Sequence, residues 1–185
     1  MNVPQDISMR GVEAFCLEPV ARSDARVLIL GSVPGVVSIK QQRYYAHDRN
    51  AFWPLMERLL GDGSLLDYPA RLKLLMDSGI ALWDVLASAT RSGSLDSAII
   101  AGSEVPNDIP GFIDSHPNVS HIFFNGAKAA ESFLRHSAMR ITPGRVRLVR
   151  LPSTSPAYAA MNFDAKLQAW RVVADAASVV GRVQP

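Results

Sequence analysis

The amino-acid sequence predicts an α/β fold in which a mostly parallel sheet is covered by helices on both faces. Two observations lead to this prediction. Four short apolar segments have the length of strands, at residues 27–30, 80–85, 121–124 and 146–151. Amphipathic helical patterns lie between these segments, and strands that alternate with helices are typical of parallel sheets.

The predicted strands also indicate where a ligand would bind. The first and third segments, with Val-Leu-Ile-Leu and Ile-Phe-Phe, are almost free of polar residues. Strands that are buried on both faces have this composition. In open parallel sheets the ligand sits at the carboxyl ends of the strands. The segments that follow the four strands are therefore the candidate site.

Five helices are predicted from apolar side chains that recur at helical spacing. They cover residues 51–60, a segment that begins at Pro69, a short segment capped by Asn107 or Asp108, residues 127–134 and a last segment that begins after Asn162. The last helix has the clearest pattern, because Asn162 is a suitable N-cap, an apolar stripe extends to Val180 and Gly181 ends it.

Length and composition indicate one domain over residues 1–185. The chain is 48% hydrophobic and 19% charged, with a net charge of +2, and this balance excludes a disordered protein. No apolar stretch approaches the roughly 20 residues that span a bilayer. Residues 1–20 carry four charged side chains and no apolar core, so we expect no signal peptide.

The cysteine content bounds the compartment and the cofactors. A lone cysteine, Cys16, cannot form an intramolecular disulfide or hold an iron–sulfur cluster or a Cys-rich zinc site. We therefore expect a soluble, cytoplasmic protein that uses no metal or other cofactor. We further expect that it is a monomer with no membrane partner.

The basic residues are compatible with a nucleic-acid partner. The chain contains 15 Arg and 4 Lys, and the planar guanidinium fork of Arg suits phosphate better than the Lys ammonium does. A GC-rich genome would produce the same Arg-rich composition without a nucleic-acid partner. The small net charge excludes a histone-like protein that binds DNA by electrostatics alone.

A glycine-rich turn, Gly31-Ser32-Val33-Pro34-Gly35, follows the first predicted strand. Its two glycines allow a sharp turn and a close approach of backbone to ligand. Free N–H groups in such a turn can donate to an anion or to a base carbonyl. The turn lacks the Lys-Ser/Thr of a phosphate-binding P-loop, and many turns of this composition have no function.

A second segment, residues 41–53, is polar, aromatic and basic at once. Aromatic side chains such as Tyr45 beside Arg49 suit stacking on bases next to phosphates. Asn50 is also a good N-cap for the helix that follows, and a purely structural role would explain it. His47 has no neighbouring cluster of ligands in the sequence that would make it a metal site.

Polar residues also follow the remaining strands. Asp84 ends the second predicted strand, where it is either an acceptor for a base edge or a local cap. Asn125 lies in the turn after the third strand. Ser153, Thr154 and Ser155 follow the fourth strand, and their hydroxyl and N–H groups suit phosphates, although an ordinary Ser/Pro loop looks the same.

In their order and spacing, these segments resemble the uracil-DNA glycosylase superfamily. The resemblance rests on residues 31–35, on residues 44–53 above all, and on residues 151–156, and it covers most of the chain. The most similar branch is that of the hypoxanthine-DNA glycosylases, which is related to the mismatch-specific uracil/thymine glycosylases. The resemblance implies a three-layer α/β/α fold with a central, mostly parallel four-stranded sheet.

The resemblance also implies an activity. Such enzymes hydrolyse the N-glycosidic bond of a deaminated base that is flipped out of damaged DNA, and they leave an abasic site. Hypoxanthine and uracil are the expected bases, since both have a carbonyl next to an N–H. No lysine falls within the motifs, so a monofunctional enzyme without strand cleavage is expected.

Individual roles follow from the same resemblance. Catalysis is expected of Asn50, which would position the attacking water, with a smaller part for His47. Tyr45 would stack on the flipped base. The remaining residues expected to bind the base are Gly31, Ser32, Val33, Pro34, Gly35, Asp84 and Asn125. The residues expected to contact the DNA backbone are Arg49, Arg91, Ser153, Thr154 and Ser155.

One departure from the family pattern leaves two alternatives. The mismatch-specific branch places a catalytic Asn where this chain has Val33, and an aliphatic side chain cannot orient water. The first alternative is therefore a damaged-DNA-binding module that retains the fold without cleaving. The second is an unrelated α/β enzyme that acts on a small nucleotide, whose binding would depend little on salt.

Overall fold

The computed structural model describes residues 11–178. Its strands are β1 (Val12–Phe15), β2 (Val27–Gly31), β3 (Ile80–Asp84), β4 (Leu86–Arg91), β5 (Val105–Pro106), β6 (His121–Asn125) and β7 (Arg147–Leu151). Its helices are α1 (Val36–Gln41), α2 (Phe52–Leu60), α3 (Tyr68–Asp77), α4 (Ile109–Ser115), α5 (Ala127–His136) and α6 (Phe163–Ser178). Short 3-10 turns lie at Asp96–Ala98 and Ala138–Arg140.

The central sheet contains β3, β2, β6 and β7 in this order, and all neighbouring strands are parallel. The predicted α/β class and the four predicted strands are confirmed. The carboxyl ends of the strands lie side by side, since Gly31 pairs with Asp84 and Asn125 pairs with Leu151. The segments that follow the strands therefore meet at one edge of the sheet.

Helices cover both faces of this sheet. Along β2 the fully buried side chains alternate between two hydrophobic clusters, because successive residues of a strand point to opposite faces. Leu28 and Leu30 pack in a cluster with α4 and α5. Val27 and Ile29 pack in a second cluster with α2, α3 and α6. This double burial explains the continuous apolar composition of the strand and gives the three-layer arrangement.

A second, antiparallel sheet of β1, β4 and β5 was not predicted. β4 follows β3 after a single residue, Val85, and pairs with β1 along four residues. Both strands are short and contain polar residues, such as Ser88 and Arg91 in β4, so neither shows an apolar run. This sheet places Arg91 beside the carboxyl edge of the central sheet.

Local side-chain caps explain where several helices begin. Asp67 accepts a hydrogen bond from Ala70 N at 2.9 Å and caps α3, with Pro69 in its first turn. Of the two predicted caps of α4, Asp108 fulfils the role by accepting from Gly111 N at 3.3 Å. Asn107 instead donates to the backbone oxygen of Asp84 at 2.9 Å.

The last helix confirms its predicted start. Asn162 Oδ1 accepts from Ala165 N at 2.9 Å, as an N-cap does. The predicted end, at Val180 and Gly181, lies outside the described residues. None of the helices within residues 11–178 combines the length and hydropathy that are needed to span a bilayer.

Candidate active site

A cavity of about 620 Å³ opens at the carboxyl edge of the central sheet. Its walls come from the turn at residues 31–35, from residues 44–50, from residues 94–97 and from residues 153–158. The loops that the sequence placed at one sheet edge are therefore brought together. Every predicted site residue lines this cavity except Arg91.

The glycine-rich turn places backbone donors in the cavity. The carbonyl oxygens of Gly31 and Ser32 accept from Val85 N and Leu86 N, at 2.9 and 3.0 Å. By contrast, the N–H groups of Ser32 and Val33 donate to no acceptor within residues 11–178. Both residues line the cavity, and no acceptor in the described residues occupies their N–H groups.

Gly31 has a steric reason to be glycine. A Cβ at this position would lie 2.3 Å from Asp84 Oδ1 and 3.1 Å from Tyr45 Oη. Both polar atoms thus pack against the Gly31 backbone at the end of β2. A side chain at this position would push the carboxyl group and the phenol apart.

Arg91 is buried, which contradicts its predicted contact with DNA phosphates. Its side chain is 2% exposed, and its Nη2 donates to the carbonyl oxygen of Pro34. Its Nη1 lies 3.7 Å from Asp96 Oδ1, and Asp96 in turn accepts from Ser32 Oγ at 2.7 Å. Arg91 therefore braces the glycine-rich turn from inside the protein.

The loop after β4 is the part of the site that the sequence analysis missed. Asp96 binds Ser32, as described above, and Ser94 Oγ accepts from Val36 N at 3.1 Å. Burial raises the pKa of Asp96, while Ser32 and Arg91 act in the opposite direction. No periodic pattern marks residues 92–97, and their polar composition is that of an ordinary loop.

The two tyrosines before α2 have different roles in the structure. Tyr44 is buried and anchors the segment, since its Oη donates to the carbonyl oxygens of Leu17 and Glu18, each at 3.1 Å. Tyr45 has a φ of +52°, and its ring stacks on Phe52 with centroids 4.0 Å apart. The Tyr45 Oη is buried and has no hydrogen-bond partner in the described residues.

Asn50 lines the cavity and also caps its own helix. Its Oδ1 accepts from Phe52 N, the first residue of α2, at 3.0 Å. Asn50 thus satisfies one N–H of the first turn, as a capping side chain does, although Ala51 is the residue that directly precedes the helix. Its Nδ2 donates to no acceptor in the described part of the chain. The backbone next to it is fixed by a hydrogen bond from Ala51 N to the carbonyl oxygen of Thr154, at 3.0 Å.

His47 and Arg49 lie on the outer wall of the same cavity. The His47 Nδ1 is 3.2 Å from Asp48 Oδ1, and the His47 side chain is partly exposed while the Asp48 side chain is open to solvent. The Arg49 side chain is exposed. Within residues 11–178 no cluster of His, Cys, Asp or Glu side chains is arranged to hold a metal ion.

The loops after β6 and β7 are joined by paired hydrogen bonds. Asn125 Nδ2 donates to Thr154 Oγ1 at 2.9 Å, and Thr154 N donates to Asn125 Oδ1 at 2.8 Å. Thr154 is 1% exposed, so its predicted contact with the DNA backbone is wrong for the hydroxyl group. Ser153 and Ser155 are half-buried and line the cavity.

Asp84 is the most deeply buried acid of the site. It is 3% exposed, and its Oδ2 has no hydrogen-bond partner among the described residues. Burial raises the pKa of Asp84 to about 7, the charge of Asp96 adds to this effect and Arg91 opposes it. Its carboxyl group caps no described helix, and its role toward a base stays a prediction.

Comparisons with known proteins agree with the resemblance. The family model of the Uracil DNA glycosylase superfamily matches residues 19–174. A protein named hypoxanthine DNA glycosylase from Methanosarcina barkeri is 39% identical over 114 residues, which cover 61% of this chain and 71% of that protein. A protein of the same name from Methanosarcina acetivorans is 41% identical over 114 residues, which cover 60% of this chain and 70% of that protein.

A solved structure extends the similarity to the fold. The solution NMR structure of a candidate uracil DNA glycosylase from Methanosarcina acetivorans superimposes with a TM-score of 0.74 and 30% sequence identity. The superposition covers 90% of this chain and 99% of that chain. The similarity of fold therefore extends over most of the chain.

Proposed function

Since this chain belongs to the uracil-DNA glycosylase superfamily and is a DNA glycosylase, we propose that it releases hypoxanthine or uracil from damaged DNA. In this proposal the base leaves the duplex, enters the cavity and is cut from its deoxyribose by water, and an abasic site remains. Extrusion costs a few kcal/mol and costs least for a mispaired base.

One observation carries the proposal: Ser32 and Val33, whose N–H groups have no acceptor in the described residues, line the same cavity as Asn50. A cavity of about 620 Å³ lies within the range of pockets that hold molecules of nucleoside size. The names of the two Methanosarcina relatives support the choice of hypoxanthine. Uracil presents the same carbonyl next to an N–H.

The backbone donors act on the departing base. As the glycosidic bond breaks, the base gains negative charge that is shared with its carbonyl oxygen. The N–H groups of Ser32 and Val33 donate to this oxygen and stabilise the charge, as in an oxyanion hole. Arg91 and Asp96 hold these donors in place through Pro34 O and Ser32 Oγ.

Asn50 acts on the attacking water. A carboxamide is not a strong base at neutral pH, so it orients the water by hydrogen bonds and does not remove its proton before attack. Its Oδ1 accepts from Phe52 N, and its Nδ2 group is the part of the carboxamide that can hydrogen-bond to the water. The sugar becomes cation-like during cleavage. Stabilisation of the anionic leaving base therefore contributes more to the rate than activation of the water does.

The DNA is held around the cavity by neighbouring groups. Tyr45 packs one face against Phe52, and its other face is the one offered to the base, where a stack contributes about 1–3 kcal/mol. Arg49, Ser153 and Ser155 line the wall and contact phosphates. No lysine within the described residues lines the cavity, which favours hydrolysis by water over attack by an amine.

The experiment that tests the proposal is a panel of oligonucleotides that each carry one hypoxanthine, uracil, xanthine or mispaired thymine. After incubation with the protein, alkali cleaves the DNA at abasic sites, and the fragments are measured before and after this treatment. Fragments from hypoxanthine or uracil DNA that appear only with alkali support the proposal. Intact DNA for all four bases contradicts it.

A binding module without cleavage is the second candidate, and Val33 favours it. This residue is 6% exposed and packs in the core cluster beside α4 and α5, so its aliphatic side chain cannot orient a water molecule. The same panel separates the candidates, since a binding module would retain damaged DNA without forming abasic sites. A third candidate, an enzyme that acts on small nucleotides, is excluded if the affinity for DNA falls steeply as the salt concentration rises.

A further inference from the structure

Asp96 is an acid of the cavity wall to which the proposed mechanism gives only a bracing role. It lies in the loop after β4 and lines the cavity. Its Oδ1 accepts from Ser32 Oγ at 2.7 Å. Its Oδ2 takes part in no hydrogen bond or ion pair within residues 11–178, and the side chain is 42% exposed. One carboxylate oxygen is thus fixed by the protein, and the other is unoccupied.

The hydrogen bond to Ser32 places this carboxyl group beside the glycine-rich turn. The turn itself has no acidic or amide side chain, and its Val33 is aliphatic and buried. The N–H groups of Ser32 and Val33 are the donors that the proposed mechanism assigns to the departing base. A carboxylate from another loop therefore stands next to the place where the glycosidic bond would break.

The proposed hydrolysis needs an acceptor for a proton of the attacking water. Asn50 is not suited to this, because a neutral amide is a weak base, its Oδ1 already accepts from Phe52 N and its Nδ2 is a donor. The His47 Nδ1 accepts from Arg49 N at 3.2 Å, so the other nitrogen of the neutral ring carries a hydrogen and donates. Neither side chain is thus suited to receive the proton.

Two acids line the cavity within the described residues, Asp84 and Asp96. Burial raises the pKa of Asp84 to about 7, so much of it is neutral, and a neutral acid accepts no proton. Burial also raises the pKa of Asp96, but the hydrogen bond from Ser32 and the charges of Arg91 and Lys128 oppose this effect. These three groups favour the charged form of Asp96, which is the form that acts as a base.

We propose that Asp96 is the general base of the reaction, and that its Oδ2 accepts a proton from the water that Asn50 orients. The inference rests on the proposed function and adds a residue that touches the reacting water. Asn50 and Asp96 then have complementary parts, since the Asn50 Nδ2 donates to the water oxygen and the Asp96 carboxylate accepts from the water O–H.

The bonds and charges of this step balance. One O–H bond of the water breaks and its proton moves to Asp96 Oδ2, while the water oxygen bonds to the C1′ atom of the sugar. The glycosidic C–N bond breaks and its electron pair leaves with the base. Asp96 afterwards releases the proton to solvent, and the anionic base takes one up from solvent.

The surroundings of Asp96 suit a charge that changes during the reaction. The Arg91 Nη1 lies 3.7 Å from Asp96 Oδ1, and the Arg91 side chain is 2% exposed. This buried cation offsets the carboxylate charge, which limits its repulsion of the departing anionic base. The carboxylate in turn attracts the cation-like sugar of the transition state.

Two substitutions separate the base from the brace. In Asp96→Asn, the amide oxygen can still accept from Ser32 Oγ, but the side chain takes up no proton. Asp96→Ala removes both functions. The exposed Asp114 on α4 lies outside the cavity, and Asp114→Asn is the matched control for the removal of one carboxyl group.

The measurement is the single-turnover rate at neutral pH for the base that the parent protein releases. Asp96→Asn should lose about 10²-fold or more, while its Tm and its affinity for abasic DNA stay close to those of the parent. Formate is a carboxylate small enough for a cavity of about 620 Å³. It should raise the rate of Asp96→Ala by roughly tenfold, whereas equal sodium chloride should not. Formate should leave Asp114→Asn unaffected.

An Asp96→Asn variant that keeps the parent's rate overturns the inference. If Asp96→Asn melts as low as Asp96→Ala, its slower rate reports a lost brace, and the formate experiment decides. A rate of Asp96→Ala that formate does not raise above the chloride control then overturns the inference. Release of a base by the parent leaves the proposed function intact in each of these cases, whereas no release of any base by the parent refutes both.

Discussion

Asn125 and Thr154 hold each other by two hydrogen bonds, one between Asn125 Nδ2 and Thr154 Oγ1 and one between Thr154 N and Asn125 Oδ1, at 2.9 and 2.8 Å. The pair joins the carboxyl end of β6 to the loop after β7. Since Thr154 O also accepts from Ala51 N at 3.0 Å, the same residue fixes the start of α2. Three walls of the cavity are thus tied together at one buried threonine.

The first prediction concerns this junction. Thr154→Val keeps the shape of the side chain but removes the acceptor, which leaves the Asn125 amide without its partner. An unpaired buried group costs about 1–3 kcal/mol, and for a chain of this size each kcal/mol lowers Tm by about 2–4 °C. Thermal unfolding measures the loss, and Thr154→Ser, which keeps the hydroxyl, should lose less. Equal melting temperatures for parent and valine variant would contradict the role of the pair.

The second prediction separates the two roles of Asn50. Serine is as good a cap as asparagine, but its hydroxyl group is too short to contact the water that the Asn50 amide would orient in the cavity. Asn50→Ser should therefore keep Tm and lose about 10²-fold or more in the single-turnover rate of base release. Asn50→Ala should lose the rate and, in addition, about 1 kcal/mol of stability.

The control for Asn50 is binding. Both variants should bind DNA that contains an abasic site about as tightly as the parent does, because phosphate contacts dominate the affinity. A serine variant with the parent's rate of base release would leave Asn50 with its capping role alone.

The third prediction concerns the phosphate contacts. Arg49 is exposed on the cavity wall, whereas Arg91 is buried. Arg49→Gln should weaken binding to every DNA sequence alike and lower the slope of log affinity against log salt by about one. Arg171→Gln, on the exposed face of α6 away from the cavity, is the matched control and should leave the slope unchanged. An unchanged slope in Arg49→Gln would remove this residue from the DNA interface.

The parallel sheet and the position of the site followed from local patterns. The apolar composition of β2 follows directly from its burial between two helical layers, since Leu28 and Leu30 face one cluster and Val27 and Ile29 face the other. The meeting of four loops follows from parallel strands in register. Residues whose role depends on strand ends were therefore placed correctly from the sequence.

The role of Arg91 was outside the reach of local patterns. Arginine is rarely buried unless it is paired, and its partners here, Pro34 and Asp96, come from separate loops. β4, which carries Arg91 inward, has no apolar run, and it is stabilised by pairing with β1, more than 70 residues earlier in the chain. Tertiary contacts of this kind decide burial, so the sequence placed Arg91 on the surface, where unpaired arginines usually are.

The last prediction tests the ionisation of Asp84 without a substrate. In the folded protein the pKa of Asp84 is raised from 3.8 to about 7, so between these values the folded protein holds a proton that the unfolded chain releases. The stability that the neutral carboxyl contributes is therefore complete below pH 3.8 and is lost as the pH rises to 7. Asp84→Asn cannot ionise, and its Tm relative to the parent should rise from pH 5 to about pH 7 and level off above that. The raised pKa of Asp96 affects both proteins alike and largely cancels in this difference. A Tm difference that stays constant with pH would show that Asp84 is ionised in the folded protein throughout this range.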